Sequence, residues 1–226
     1  MEKGCFYWAN LCEYPYMKEE MPWKILINLN QYMEQLAEKY KNNNDYIKIN
    51  GNIIHKSAIV DKMAKVTNCF VGAKVYIYEG VSVRNSVIFD YSVIGHASEV
   101  ARSVILKHCS IPRFDYVGGS FLGESVRLGG CVSFATRRHD DKDICFSYGN
   151  LMIKTNQIKF GSLIGDNTKI GYGVHLNPGT VVGNDCLIMP YVDLSGSVGE
   201  KSIVYNKTQV AIREKRDFVD ISKLME

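Results

Sequence analysis

One aliphatic or aromatic side chain recurs at a fixed step through residues 54–134. Ile54, Val60 and Val66 open the run. The triplet returns as Val71, Ile77 and Val83, as Ile88, Ile94 and Val100, as Ile105, Ile111 and Val117, and as Leu122, Leu128 and Phe134. The step is six within a triplet and five between triplets, so the unit repeats every 17 residues, five times over. Few folds satisfy that constraint. Side chains of a strand alternate between faces, so a short strand, a corner and another short strand bring one such side chain inward per six residues. Three sides close a triangular coil, and residues 17 apart then stack vertically. Periodicity of this kind marks a parallel β-helix built from hexapeptides. A sandwich of short strands has no need of a step held through five triplets.

The composition of the repeat agrees. Val, Ile and Leu fill the inward positions, as β-branched and aliphatic residues suit a pleated, packed surface. Gly72, Gly95, Gly118, Gly123 and Gly129 each follow an inward residue. They are expected to supply backbone conformations that tight corners need and other residues avoid. After Phe134 the pattern stops, then resumes with Ile164, Ile170, Leu176, Val182, Ile188 and Leu194, and Val198 and Val204 begin a partial last coil. Roughly seven to eight coils at the ~4.8 Å strand spacing make a prism about 35 Å tall.

Residues 1–50 read as an N-terminal segment with a helix, residues 51–205 as the coil with an inserted loop at about 135–160, and residues 206–226 as a polar tail. In the first segment, Phe6, Tyr7, Trp8, Tyr14 and Tyr16 are expected to pack against the body. From Pro22 to about Lys41, apolar residues Leu26, Leu29, Met33, Leu36 and Tyr40 recur at three and four, predicting one amphipathic helix. Pro22 suits its first turn, and the Asn42–Asp45 run ends it. Its stripe is expected to pack on the coil rather than stand exposed, and a role in covering the terminal coil is expected of it.

Net charge is +3 over 226 residues, which calls for no polyanionic partner and so no nucleic acid. No apolar run approaches the roughly 20 residues that a membrane span needs. Seven scattered cysteines, odd in number and without a CxxC pair, read as reduced thiols, and the expected location is cytoplasmic.

The 17-residue ruler also places chemistry. It sets Ser133 beside Tyr116 and Gly130 beside Arg113. The two feet of the excursion must lie close together for the coil to resume, so Thr136 to His139 and Lys159 are expected near Tyr116. The excursion carries Arg137, Arg138, His139, Asp140, Asp141, Lys142 and Asp143, a run that reads either as a solvated charged loop or as a lid over a site. A Tyr, cations and a loop at one corner make a pocket for a phosphorylated sugar, since Arg suits forked recognition of phosphate and Lys supplies a point charge.

Two longer stretches are more specific than the hexapeptides. "IPRFDYVGGSFLGESVRLGG" and "IKFGSLIGDNTKIGYGVHLNPGTVVG" resemble stretches of the acetyltransferase domain of bifunctional sugar-1-phosphate nucleotidyltransferases, and "MPWKILINLNQYMEQLAEKY" resembles the helix that precedes it. The resemblance is to the bifunctional N-acetylglucosamine-1-phosphate uridylyltransferase and glucosamine-1-phosphate acetyltransferase family, over about residues 22–205 and without its nucleotidyltransferase domain. It implies an all-β fold, a single-stranded left-handed parallel β-helix with an N-terminal α-helix, assembled as a homotrimer. It implies acetyl-CoA as co-substrate and a sugar phosphate or nucleotide sugar as acceptor.

By the same resemblance Tyr116 and Lys159 match substrate-binding residues. The family's catalytic His falls on Arg113 and its active-site Asn on Thr136. Arg stays protonated and cannot serve as a base, whereas a His can near neutral pH. His139 on the loop is the candidate base, and His175, beside Leu176, faces outward. Arg113, Tyr116, Thr136 and Lys159 are the candidate substrate contacts. The other reading is a catalytically silent solenoid that binds a sugar nucleotide or scaffolds a nucleotidyltransferase. His55, His96, His108, His139 and His175 show no closely spaced pair, so no metal is expected.

Overall fold

The computed structural model describes residues 11–17 and 21–207. Phe6, Tyr7, Trp8 and most of the tail lie outside the described residues. From Asn52 onward the chain winds as a parallel β-helix with three faces. The columns follow the ruler. On the first face Ile54 pairs with Val71, Val71 with Ile88, and Ile105 with Leu122. On the second, Val60 pairs with Ile77 and Ile94 with Ile111. On the third, Val66 pairs with Val83 and Val100 with Val117. These inward side chains form one continuous core. After the excursion Leu122 pairs directly with Ile164 and Phe134 with Leu176, so the coil resumes in register. Val198 and Val204 extend the first two faces by a further rung.

A parallel ladder leaves backbone groups at each corner without a strand partner, and a buried group cannot be left unpaired cheaply. Buried hydroxyls stacked at the repeat distance satisfy them. Ser103 Oγ donates to Ala101 O (2.9 Å) and accepts from the Ser120 amide (3.1 Å). Ser120 Oγ then donates to Gly118 O and accepts from the Ser162 amide across the excursion (2.6 and 2.9 Å).

The glycine expectation is corrected. Positive φ at the corners falls on non-glycine residues such as Asn68, Lys74, Asn85, Tyr91, Arg102 and His108. Gly72, Gly95, Gly118, Gly123 and Gly129 are not among the left-handed residues. Their role is close approach: a Cβ on Gly95 would overlap the carbonyl of Pro112 on the next rung.

The N-terminal helix is also corrected, in two respects. It breaks at Asn28 into α1 (Pro22–Ile27) and α2 (Leu29–Lys39). It also does not cover the coil's end. Trp23, Ile25, Leu26, Leu29, Tyr32, Met33 and Leu36 are buried in a second cluster with Phe70, Val87, Val104, Phe121, Leu163 and Val181, the outward side chains of the first face. Cover for the terminal edge comes from strand β1 (Tyr46–Ile49), which pairs antiparallel with β2 (Asn52–His55), the first rung of that face. An open parallel edge would expose a row of unpaired backbone groups. Tyr14 is buried as expected, whereas Tyr16 is 51% exposed.

The excursion is not a bare loop. Cys145–Tyr148 and Leu151–Lys154 pair as an antiparallel hairpin. Ile144, Phe146, Tyr148 and Phe160 join the second cluster, with the Trp23 ring 5.6 Å from Phe146 and 5.0 Å from Tyr148. The hairpin is thus fixed to the body by aromatic packing on one side, while residues 137–143 and Leu151 and Met152 of its second strand are exposed.

Gly95→Ala is expected to destabilise by about 1–3 kcal/mol or more, because the added methyl overlaps backbone. Gly199→Ala, with nothing within 4 Å of the added carbon, should stay within about 0.5 kcal/mol of the parent. Urea unfolding of the two variants checks this, and equal stabilities would rule out rung contact as the reason for glycine. Leu36→Ala should cost about 2–5 kcal/mol, because Leu36 is fully buried against the first face.

Candidate active site

The third face carries the candidate residues. Its outward column runs Glu99, Tyr116, Ser133, His175 and Asp193, each paired with the next. Tyr116 lies between the two edges of this face. Its hydroxyl leans toward Gly118: a Cβ there would lie 2.6 Å from Tyr116 Oη and 2.7 Å from Thr136 Cγ2. Glycine at 118 therefore leaves room for Tyr116 and Thr136 to meet. The far foot of the excursion closes on the same corner, where the Phe160 amide donates to Thr136 O (2.9 Å) and the Gly161 amide to Gly119 O (2.9 Å). Lys159, the preceding residue, is exposed there. Tyr116, Thr136 and the backbone at Lys159 are thus brought to one corner, as the ruler requires.

Arg113 stands at the other edge of the face. Its carbonyl accepts from the Cys131 amide (3.1 Å), and its Cγ would lie 3.5 Å from a Cβ on Gly130. Cys131 Sγ in turn donates to the Tyr172 hydroxyl (3.1 Å). Tyr116 is flanked by Arg113 on one side and by Thr136 with Lys159 on the other.

The charged run of the excursion is largely self-paired. Arg137 meets Asp141 at 2.8 Å and Arg138 meets Asp140 at 2.7 Å, all exposed. The Arg138 pair holds the Asp140 carboxyl far below the usual carboxylate range. Arg113 and Lys159 have no ion-pair partner among the described residues, in contrast to Arg137 and Arg138. His139 is exposed on this segment, and none of its ring contacts ties it to Tyr116. His175 shares Tyr116's outward column, two rungs away. Among the described residues no three His, Cys, Asp or Glu converge as a metal set.

Asp115 is a residue the sequence reading did not single out. It lies between the corner and Tyr116, is 2% exposed, and its Oδ1 accepts from the Val132 amide (2.8 Å). Oδ2 is buried without a partner among the described residues. Burial pushes its carboxyl up to about 6, against the pull of the Val132 amide. The signal was present: Asp115 falls one repeat beyond Ser98, whose hydroxyl accepts from the Asp115 amide (3.2 Å). Asp115 thus belongs to the corner ladder and ties the Arg113–Tyr116 turn to the rung beyond.

Comparison with known proteins agrees with this architecture. The family model described as GMPPB C-terminal domain matches residues 49–137, and that described as bacterial transferase hexapeptide (six repeats) matches residues 161–196. The Bifunctional protein GlmU of Methanococcus vannielii is 29% identical over 203 residues, 86% of this chain and 48% of the relative. The Bifunctional sugar-1-phosphate nucleotidylyltransferase/acetyltransferase of Sulfurisphaera tokodaii is 30% identical over 114 residues, 50% of this chain and 28% of the relative. The chain spans about half the length of the GlmU relatives that it matches over most of its own length. Among solved structures, a mutant of AntD, an N-acyltransferase from Bacillus cereus, aligns at 18% identity over 75% of this chain and 88% of that one, with a TM-score of 0.36. By these matches the chain is similar to GlmU proteins over most of its length and to the hexapeptide model over residues 161–196.

Asp115 generates a pH dependence. Its folded pKa of about 6 lies above the ordinary value of 3.8. Its contribution to stability is therefore full below pH 4 and is lost as pH rises through about 6. Asp115→Asn keeps an acceptor for the Val132 amide and removes the titration. The fall in unfolding free energy between pH 4 and pH 7 should be smaller in the variant than in the parent. Equal falls would show that Asp115 titrates as it does in an unfolded chain. Asp166, pushed up to about 6 chiefly by burial, contributes a fall of the same sign.

Proposed function

We propose that this chain is a CoA-dependent acyltransferase that moves an acetyl or other acyl group to an amine or hydroxyl of a sugar phosphate or nucleotide sugar. The observation that carries the reading is the meeting of Tyr116, Thr136 and the Lys159 return at one corner of a hexapeptide coil, with Arg113 across the same face. Among the described residues no helix is long and apolar enough to cross a membrane. The unpaired thiols of Cys69, Cys109, Cys131, Cys145 and Cys186 fit a reducing cytoplasm.

In this reading Lys159 and Arg113 take the acceptor's phosphate, one as a point charge and one as a fork. The Tyr116 and Thr136 hydroxyls orient the sugar. Acetyl-CoA, the co-substrate, supplies the activated acyl group. The chain holds the acceptor's nucleophile beside the thioester carbonyl, which converts a bimolecular encounter into an oriented one. As the new bond to the acyl carbon forms and the carbon–sulfur bond breaks, a base takes the nucleophile's proton. His139 is the candidate, and His175 stands on Tyr116's own face. The chain assembles as a homotrimer, with the third face completed by a neighbouring prism.

One observation favours a second reading. Arg113 occupies the position where the resembled family has its catalytic His, and Arg does not give up its proton. A solenoid that binds a sugar nucleotide without turnover, as a regulatory or scaffold subunit, would look the same at the other residues.

Thiol release from acetyl-CoA, measured over hexosamine phosphates and nucleotide aminosugars, separates the two. Turnover is expected with at least one acceptor. Tyr116→Phe and Lys159→Ala should each lower kcat/KM about ten- to hundredfold, the loss of one hydrogen bond to a charged group. His139→Ala should abolish turnover, and an unchanged rate would move the base to His175. Arg113→His should raise turnover. No turnover with any acceptor, joined to tight sugar-phosphate binding, would establish the silent form.

A further inference from the structure

A hollow lies away from the Tyr116 corner, although it leads to it. It is a groove of about 690 Å³ between the α1–α2 break and the corner where the third face turns into the first. Its coil wall is a column one repeat apart, Asn68, Asn85 and Arg102, each with positive φ so that the corner bulges outward. The next position in that column is Gly119, whose added Cβ would lie 3.8 Å from Thr136 Cγ2. The groove therefore ends one rung, ~4.8 Å, from the candidate site. Its helix wall exists because the chain breaks at Asn28, which lets Asn28, Gln31 and Glu34 face the coil across a floor that includes Met33.

The wall chemistry is selective. Asn68 donates to Asn85 (2.8 Å). Arg102 has no side-chain hydrogen bond or ion pair among the described residues, although Arg84 on the rung before is paired with Glu99. An unpaired guanidinium fork suits a phosphate or diphosphate. Carboxamides offer both donors and acceptors, the complement of ribose hydroxyls and a base edge. Met33 offers an apolar, polarisable surface for a flat ring. The volume lies in the range of small-molecule sites.

We infer that this groove holds a nucleoside 5′-diphosphate group whose attached chain carries the reacting end to Tyr116 and Thr136. Two ligands of the proposed reaction contain that group: a nucleotide-sugar acceptor, and the CoA donor through its adenosine diphosphate. The inference deepens the transferase reading and rests on it only for naming these two sources. The group's place in the groove rests on Arg102 and the carboxamides.

Calorimetric titration of the full chain with UDP, GDP and ADP tests the groove without any need for turnover. At least one nucleoside diphosphate should bind, and Arg102→Gln should weaken it tenfold or more while glucosamine 1-phosphate binding and Tm are unchanged. Gln31→Trp, an exposed position, should fill the groove and give the same selective loss. Competition assigns the source. Displacement by CoA alone makes it the donor's arm, displacement by a nucleotide sugar alone makes it the acceptor's, and displacement by both supports the shared group. No binding by any nucleoside diphosphate, or binding that neither variant weakens, overturns the inference. Thiol release, scored separately, can fail through a missing base while diphosphate binding persists, so the two failures are distinguishable.

Discussion

Vertical stacking of each rung on the next, 17 residues on before the excursion and 18 then 16 residues on after it, is the constraint that everything else in this protein obeys. It places each core side chain above one of like shape, as in the column Val71, Ile88, Ile105 and Leu122. It hands each corner amide to a hydroxyl on the preceding rung, as Ser103 and Ser120 do. It also demands glycine where backbone meets backbone, as at Gly95. A fold built this way is stiff along its axis. A side chain on one rung has a defined neighbour on the next, and outward columns become ready-made surfaces.

The candidate site uses that stiffness. Tyr116 sits in an outward column, and the corner at Gly118 gives it space to lean against Thr136. The coil is interrupted once, after Phe134, and resumes with Leu122 paired to Ile164. Both feet of the interruption must then lie at the same corner, which brings Lys159 to Thr136. The hairpin beyond is held by Trp23 of α1. α1 thus anchors the excursion through Trp23, and α2 walls the Arg102 groove from the break onward.

Arg113 sets the tension in the functional reading. A permanent cation at that edge strengthens anion binding and removes a base from the same position. His175 faces outward on the same column as Tyr116, and His139 lies on the exposed segment of the excursion. In the proposed transferase, turnover would depend on which His a bound acceptor meets.

The sequence by itself determined the coil, its three columns, where the pattern stops and resumes, and the convergence of Thr136 and Lys159 near Tyr116. All of these follow from a one-dimensional repeat, in which a neighbour in space is a fixed count along the chain. Tertiary structure decided what that count does not reach. The helix stripe of Leu26, Leu29, Met33 and Leu36 predicts packing on the coil but not against which part of it, so its place on the first face rather than at the end could not be read. The same holds for Phe146 and Tyr148, whose hairpin lies outside the repeat. The pairing of Arg137 and Arg138 with Asp141 and Asp140 also needed coordinates, since a run of mixed charge fits many arrangements. So did the groove at Arg102, because it forms between a helix and a coil whose relative placement is fixed by packing alone.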